Sequence, residues 1–127
     1  MAKILIVDDE PEMCALISDI VTADGHEAVS ATHVSSAIAR LEAGEQFDLA
    51  ILDVVMPAMS GDDFAREIRR RDPDAKVLFV TGYNEALFQA RPMLWHGESF
   101  LDKPFTPAGL LEAISMALYG RICPPAA

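Results

Sequence analysis

The sequence predicts a doubly wound α/β fold, with a five-stranded parallel sheet covered by helices on both faces. Three observations point there. Short apolar runs alternate with segments of helical period along the chain. The runs are apolar throughout, as strands buried on both faces are. The joints between them are short and marked by Asp, Gly and Pro, which fits successive βα units. Right-handed crossovers leave few ways to wind such a sheet, and the order known from flavodoxin-like three-layer sandwiches, 2-1-3-4-5, is the expected one.

Taken in order, Lys3 to Val7 is an apolar strand ended by Asp8, Asp9 and Glu10, after which Pro11 suits the first turn of a helix running to Ala23. Met13, Leu16, Ile17, Ile20 and Val21 recur at helical spacing and predict its buried side. Asp24-Gly25 ends it, and His26 to Ala31 alternates weakly, as an edge strand does. A second helix over Val34 to Ala43 buries Ala37, Ile38 and Leu41 and stops at Gly44. The third strand, Leu49 to Leu52, lies within FDLAILDVVMP (Phe47 to Pro57) and stops at one carboxylate, Asp53. Pro57 and Gly61 then turn the chain into a helix over Asp62 to Arg71, which buries Phe64, Ala65 and Ile68 before Asp72-Pro73 breaks it. Val77 to Val80 is the fourth strand, ending at Thr81-Gly82. Asn84 to Arg91 reads as a short helix limited by Pro92, and Met93 to Gly97 has no clear period. Glu98 to Leu101 is a short fifth strand leading into Asp102-Lys103-Pro104. Thr106 caps a last helix whose core face is Leu110, Leu111, Ile114 and Leu118, and Gly120 closes it. The expected organisation is one domain over 1–120 and a short disordered tail over 121–127.

A chain of 127 residues, 51% of them hydrophobic, can bury a core of its own. No apolar run approaches the roughly 20 residues needed to cross a bilayer, and the apolar part of the N-terminus is too short for a secretion signal, so a cytoplasmic protein is expected. Cys14 and Cys123 have neither a metal spacing nor the number of a disulfide scaffold, and read as a buried thiol and a tail thiol. The net charge of -10 opposes nucleic acid phosphates and anionic membranes as partners. Arg69, Arg70 and Arg71 are followed by Asp72 and Asp74 and read as a solvated helix end of favourable dipole sign. His26, His33 and His96 show no mutual spacing for a metal or a base.

The chemistry gathers at strand ends. An open α/β sheet keeps its site in the crevice beyond the carboxyl ends of its strands. In the 2-1-3-4-5 winding, strands one and three are neighbours, which brings Asp8, Asp9 and Asp53 into one cup, and strands four and five add Thr81 and Lys103. Three such carboxylates repel one another unless a cation is present. Oxygen-only ligands suit a hard cation, with Mg²⁺ favoured because it keeps several waters and needs few protein ligands. The Lys103 ammonium and the Thr81 hydroxyl complete a site for a phosphoryl group, with Asp53 placed to attack it in line.

VDDE (Val7 to Glu10), LDVVMP (Leu52 to Pro57) with Gly61, VTG (Val80 to Gly82) and DKPF (Asp102 to Phe105) together resemble the receiver domain of two-component response regulators. The resemblance runs from Lys3 to about Tyr119. It implies that Asp53 accepts phosphate from a phosphohistidine. It implies further that Asp9 and Asp53 bind Mg²⁺ directly with the backbone carbonyl of Val55, while Asp8 acts through a bound water. Lys103 would contact the phosphoryl group, Thr81 would hydrogen-bond to it, and Phe100 matches the family's switch aromatic. The Lys103-Pro104 bond is usually cis in that family. The implied partners are a histidine kinase or histidine phosphotransfer protein, a downstream protein and, in some members, a second copy in a homodimer. Such a domain is a phosphorylation target that assists its own phosphotransfer and dephosphorylation, not an enzyme with an outside substrate.

Phosphorylation at this cup would shift a two-state equilibrium near Thr81 and Phe100. Phe88, Leu94 and Trp95 are expected to contribute to the surface that reads it. Tyr83 and Val55 flank the path of attacking water, which predicts a long-lived phosphoryl group. Other classes share parts of the pattern. A flavodoxin-like FMN carrier needs hydroxyls and glycines where this chain has Asp-Asp-Glu-Pro-Glu, and a haloacid-dehalogenase-like phosphatase needs a second acid where Val55 stands. FLDKPFTPAGLLEAI (Phe100 to Ile114) also resembles the receivers of hybrid histidine kinases.

Overall fold

The computed structural model describes residues 2–53, 61–73, 75–81, 98–102 and 105–119, with the backbone alone at Asp62, Thr81, Glu98, Phe100 and Asp102. The elements are β1 (Lys3–Val7), α1 (Pro11–Ala23), β2 (Glu27–Ala31), α2 (Val34–Glu42), β3 (Leu49–Leu52), α3 (Gly61–Arg71), β4 (Val77–Thr81), β5 (Glu98–Asp102) and α4 (Pro107–Tyr119). They form a five-stranded sheet of order β2-β1-β3-β4-β5, parallel throughout. The expected winding holds, with β2 at the edge. Expected boundaries differ by at most one residue, as helix and strand ends commonly do. The short helix read over 84–91, the residues Phe88, Leu94 and Trp95, and the tail 121–127 lie outside the described residues.

Alternation along each strand divides the core in two. Leu5, Val7, Ala50, Leu52, Val77 and Phe79 face one side and pack with Val34 and Ala37 of α2 and Phe64, Ala65 and Ile68 of α3. Ile4, Ile6, Leu49, Ile51, Leu78 and Val80 face the other and pack with Cys14, Ile17 and Val21 of α1 and Leu110, Ile114 and Leu118 of α4. A strand buried on both faces has no polar positions to spare, which is why these runs carry no alternation in sequence.

Local chemistry sets the ends. Pro11 opens α1 at its first helical position, and Thr106 Oγ1 accepts the Gly109 N–H at 2.9 Å to cap α4. Gly25 and Gly44 follow α1 and α2 at φ 91° and 87°, a conformation that a side chain would strain.

The buried side of α1 differs from the expected one. Cys14, Ile17 and Val21 are its buried residues, while Leu16 is 47% exposed and Met13 and Ile20 are only partly buried. At 100° per residue, positions 14, 17 and 21 span about 60°, and Leu16 lies roughly 130° from their centre. Hydropathy overrated Leu16 and Met13, whereas Cys14 is buried as expected and packs as a small apolar side chain. Ile38 and Leu41 of α2 and Leu111 of α4 are likewise at the margin of the core, partly buried.

Candidate functional site

The carboxyl ends of β1 and β3 lie side by side. Val7 pairs with Leu52 at the end of the ladder, and the Asp53 N–H donates to the Val7 carbonyl at 3.0 Å. On the other side, the Asp8 N–H donates to the Ala31 carbonyl of β2 at 3.3 Å. Asp8 and Asp53 thus extend the parallel ladder by one residue, on neighbouring strands. Their relative exposures are 2% and 6%, and they are the buried polar residues among those described. Carboxylates are rarely that buried without a partner or a role.

The β1–α1 turn arranges the remaining acids. Asp8 Oδ1 accepts the Glu10 N–H at 3.0 Å, a local side-chain-to-backbone turn of the kind Asp favours. The Glu10 carbonyl accepts the Met13 and Cys14 N–H groups, both at 3.1 Å, to start α1. Carboxylate oxygens of Asp8, Asp9 and Glu10 lie within 4.8 Å of one another. Asp53 is not one of these three, although its backbone lies next to that of Asp8 on the neighbouring strand. Glu10 is the member that sequence reasoning left out. It was legible only as the third of three consecutive acids, and its own carboxylate is exposed.

All of these donors are carboxylate oxygens. That set suits a hard cation of the Mg²⁺ or Ca²⁺ type and offers nothing to a metal that prefers thiolate or imidazole. The residues present therefore fit a Mg²⁺ site.

Thr81 ends β4, paired in register with Asp102 of β5. Lys103 follows Asp102 directly and lies outside the described residues, as do Val55, Tyr83 and the Lys103-Pro104 bond. Phe100 occupies the middle of β5, in register with Phe79. Among the described residues the sheet therefore sets Asp8 and Asp53 at the ends of neighbouring strands, with the ends of β4 and β5 on the same edge, while the carboxylates gathered within 4.8 Å are those of Asp8, Asp9 and Glu10. A cavity of about 360 Å³ opens at the opposite edge, floored by Leu5, Leu41, Phe47, Ala50 and Ile68. It holds none of the strand-end acids, and its size alone gives no chemistry. No helix among the described residues is long and apolar enough to cross a membrane.

Comparison with known proteins agrees with this geometry. The family model for the response regulator receiver domain matches residues 4–115. Chemotaxis protein CheY of Thermotoga maritima is 31% identical over 114 residues, which span 89% of this chain and 94% of CheY. Response regulator protein FleR of Pseudomonas aeruginosa is 33% identical over 95% of this chain, but the match covers 25% of FleR. Among solved structures, response regulator protein TrrA of Thermotoga maritima, in complex with Mg²⁺–BeF, superposes with a TM-score of 0.81 at 31% identity, covering 93% of this chain and all of TrrA. With the family pattern running unbroken from β1 into α4, the chain belongs to the response regulator receiver domain family.

Proposed function

We propose that this receiver domain is the phosphoacceptor of a two-component phosphorelay and that Asp53 takes the phosphoryl group from a phosphohistidine. The observation that carries the reading is the position of Asp53, 6% exposed at the end of the central strand and tied to β1 by its N–H bond to Val7. The second acid, Asp8, stands beside it there.

An oxygen of the Asp53 carboxylate attacks phosphorus as the N–P bond of the donor breaks. The donor imidazole leaves with the electron pair of that bond, and Asp53 becomes an acyl phosphate. Little acid–base work is needed; positioning and electrostatics carry the reaction. Lys103 and Thr81, from the ends of β5 and β4, contact the phosphoryl oxygens. From β3 to β5 is two strand spacings, roughly 10 Å, a gap that side chains from both ends can close. Asp9 and Asp53 would hold Mg²⁺ together with the Val55 carbonyl, with Asp8 acting through a water. Bound there, Mg²⁺ supplies the positive charge that lets these acids face a phosphoryl group. The Mg²⁺–BeF complex of TrrA supports that assignment.

The domain, residues 1–120 with a tail over 121–127, assists its own phosphotransfer and dephosphorylation. The protein acts in the cytoplasm, and its partners are a histidine kinase or histidine phosphotransfer protein and a downstream protein. Rearrangement at Thr81 and Phe100 alters the surface the downstream protein meets. Incubation with Mg²⁺ and acetyl phosphate, followed by intact mass measurement, tests the reading. Wild type should gain one phosphoryl group, lose that ability in EDTA, and react slowly as Lys103→Ala. Absence of any gain in Mg²⁺ would overturn it.

A further inference from the structure

We propose that Cys14 is a positioning residue for the acidic cluster, its thiol fixing the Asp8–Asp9 peptide in the orientation that cation binding requires. The inference rests on the Mg²⁺ reading above and deepens it. Helix α1 starts directly after the acids, yet its N-cap residue, Glu10, makes no side-chain capping bond. The junction is held from one turn further on. Cys14, 3% exposed, donates its S–H to the Asp8 carbonyl at 3.2 Å, with the Ala31 carbonyl of β2 at 3.7 Å. A thiol has one hydrogen, and the shorter distance assigns it mainly to Asp8. The backbone N–H of the same residue donates to Glu10. Cys14 therefore clasps the turn at both of its ends.

The Asp8 carbonyl belongs to the peptide that joins Asp8 to Asp9. Rotation of that plane would swing the Asp9 side chain, which is exposed and has no strand to hold it. The Asp8 carboxylate is steadied separately, through the Glu10 N–H on Oδ1. Each of the two acids thus has its own restraint, and the one on Asp9 passes through the sulfur. Groups that orient metal ligands from behind commonly change affinity by 10- to 100-fold, and a weak S–H donor belongs below that range.

The test uses Cys14→Ser, which keeps a donor, and Cys14→Ala and Cys14→Val, which do not. Mg²⁺ dissociation constants are measured by calorimetry, urea midpoints on the metal-free proteins, and amide hydrogen exchange at Asp9 and Glu10 without metal. Ala and Val should each weaken Mg²⁺ binding about fivefold and speed exchange in the turn, while Ser stays within about twofold of wild type. Affinity should follow the donor and not the urea midpoint. If affinity instead tracks the midpoint, or Ser loses as much as Val, Cys14 is a packing residue and the inference falls. Asp9→Asn separates the two readings: if wild type binds Mg²⁺ no better than Asp9→Asn, the Mg²⁺ site itself is wrong and the inference goes with it. If wild type binds better and the Ala and Val variants match it, only the role of Cys14 is overturned.

Discussion

Replacing Asp53 with Asn should stabilise the protein in the absence of metal. The change is nearly isosteric and keeps the backbone N–H bond to Val7, so its main effect is to delete one of two buried charges. Asp53 and Asp8 extend neighbouring strands, about 4.8 Å apart. Two like charges carried on neighbouring strands, roughly 5–7 Å apart, repel by about 2.4–3.3 kcal/mol at an effective dielectric constant of about 20. The Glu10 N–H on Asp8 Oδ1 and other nearby polar groups offset part of this, which leaves an expected gain of about 1–2 kcal/mol. Urea unfolding in EDTA measures it directly. The same titration with Mg²⁺ at a hundredfold excess over its dissociation constant should raise wild type by about 2.7 kcal/mol and Asp53→Asn by far less. The stability order of the two proteins then inverts with metal. If Asp53→Asn is the weaker protein in EDTA, or both gain equally from Mg²⁺, the shared acidic site is refuted.

Three further outcomes are expected. Thr106→Ala removes the Oγ1 cap on the Gly109 N–H and should cost about 1 kcal/mol in urea unfolding, whereas Thr106→Ser should cost less; equal losses would contradict the capping role. The Arg70 guanidinium, hydrogen-bonded to Glu67, holds its carboxyl below the usual carboxylate range. That stabilisation is therefore present above pH 4.5 and lost as pH falls through the lower folded value. The urea midpoints of wild type and Glu67→Gln should converge as the pH falls below the ordinary glutamate range, by an amount kept small by exposure and salt; a pH-independent difference would count against the pairing. If Tyr83 and Val55 shield the phosphoryl group from water as proposed from the sequence, Tyr83→Ala and Val55→Asn should each shorten the life of the phosphorylated form; unchanged decay in both would remove their shielding role.

Much of the fold was legible because its signals were chemical and local. Pro11, Gly25, Gly44 and Thr106 mark helix ends through backbone geometry, and the unbroken apolar runs of β1, β3 and β4 mark strands with two buried faces. The α1 face was misread at Leu16, whose exposure is set by where the helix lies on the sheet and not by its hydropathy. The site was legible to the extent that strand ends announce themselves. Asp8 and Asp53 each follow an apolar run, and the winding sets those two strand ends side by side. The burial of Asp8 and the inclusion of Glu10 in the trio depend on the turn between β1 and α1, whose hydrogen bonds have no sequence signature beyond consecutive acids. The thiol bond to the Asp8 carbonyl is equally silent in sequence, since a buried cysteine in a helix reads as packing.

Asp53 is the residue proposed to carry the phosphoryl group, and chemical trapping identifies that residue directly. An acyl phosphate is reduced by borohydride to the corresponding alcohol, so treatment of the acetyl phosphate reaction followed by peptide sequencing in a mass spectrometer names the residue. Homoserine is expected at position 53, formed with Mg²⁺ and absent in EDTA. Homoserine at position 8 or 9, or reduction at no aspartate in a protein that has gained a phosphoryl group, would contradict it.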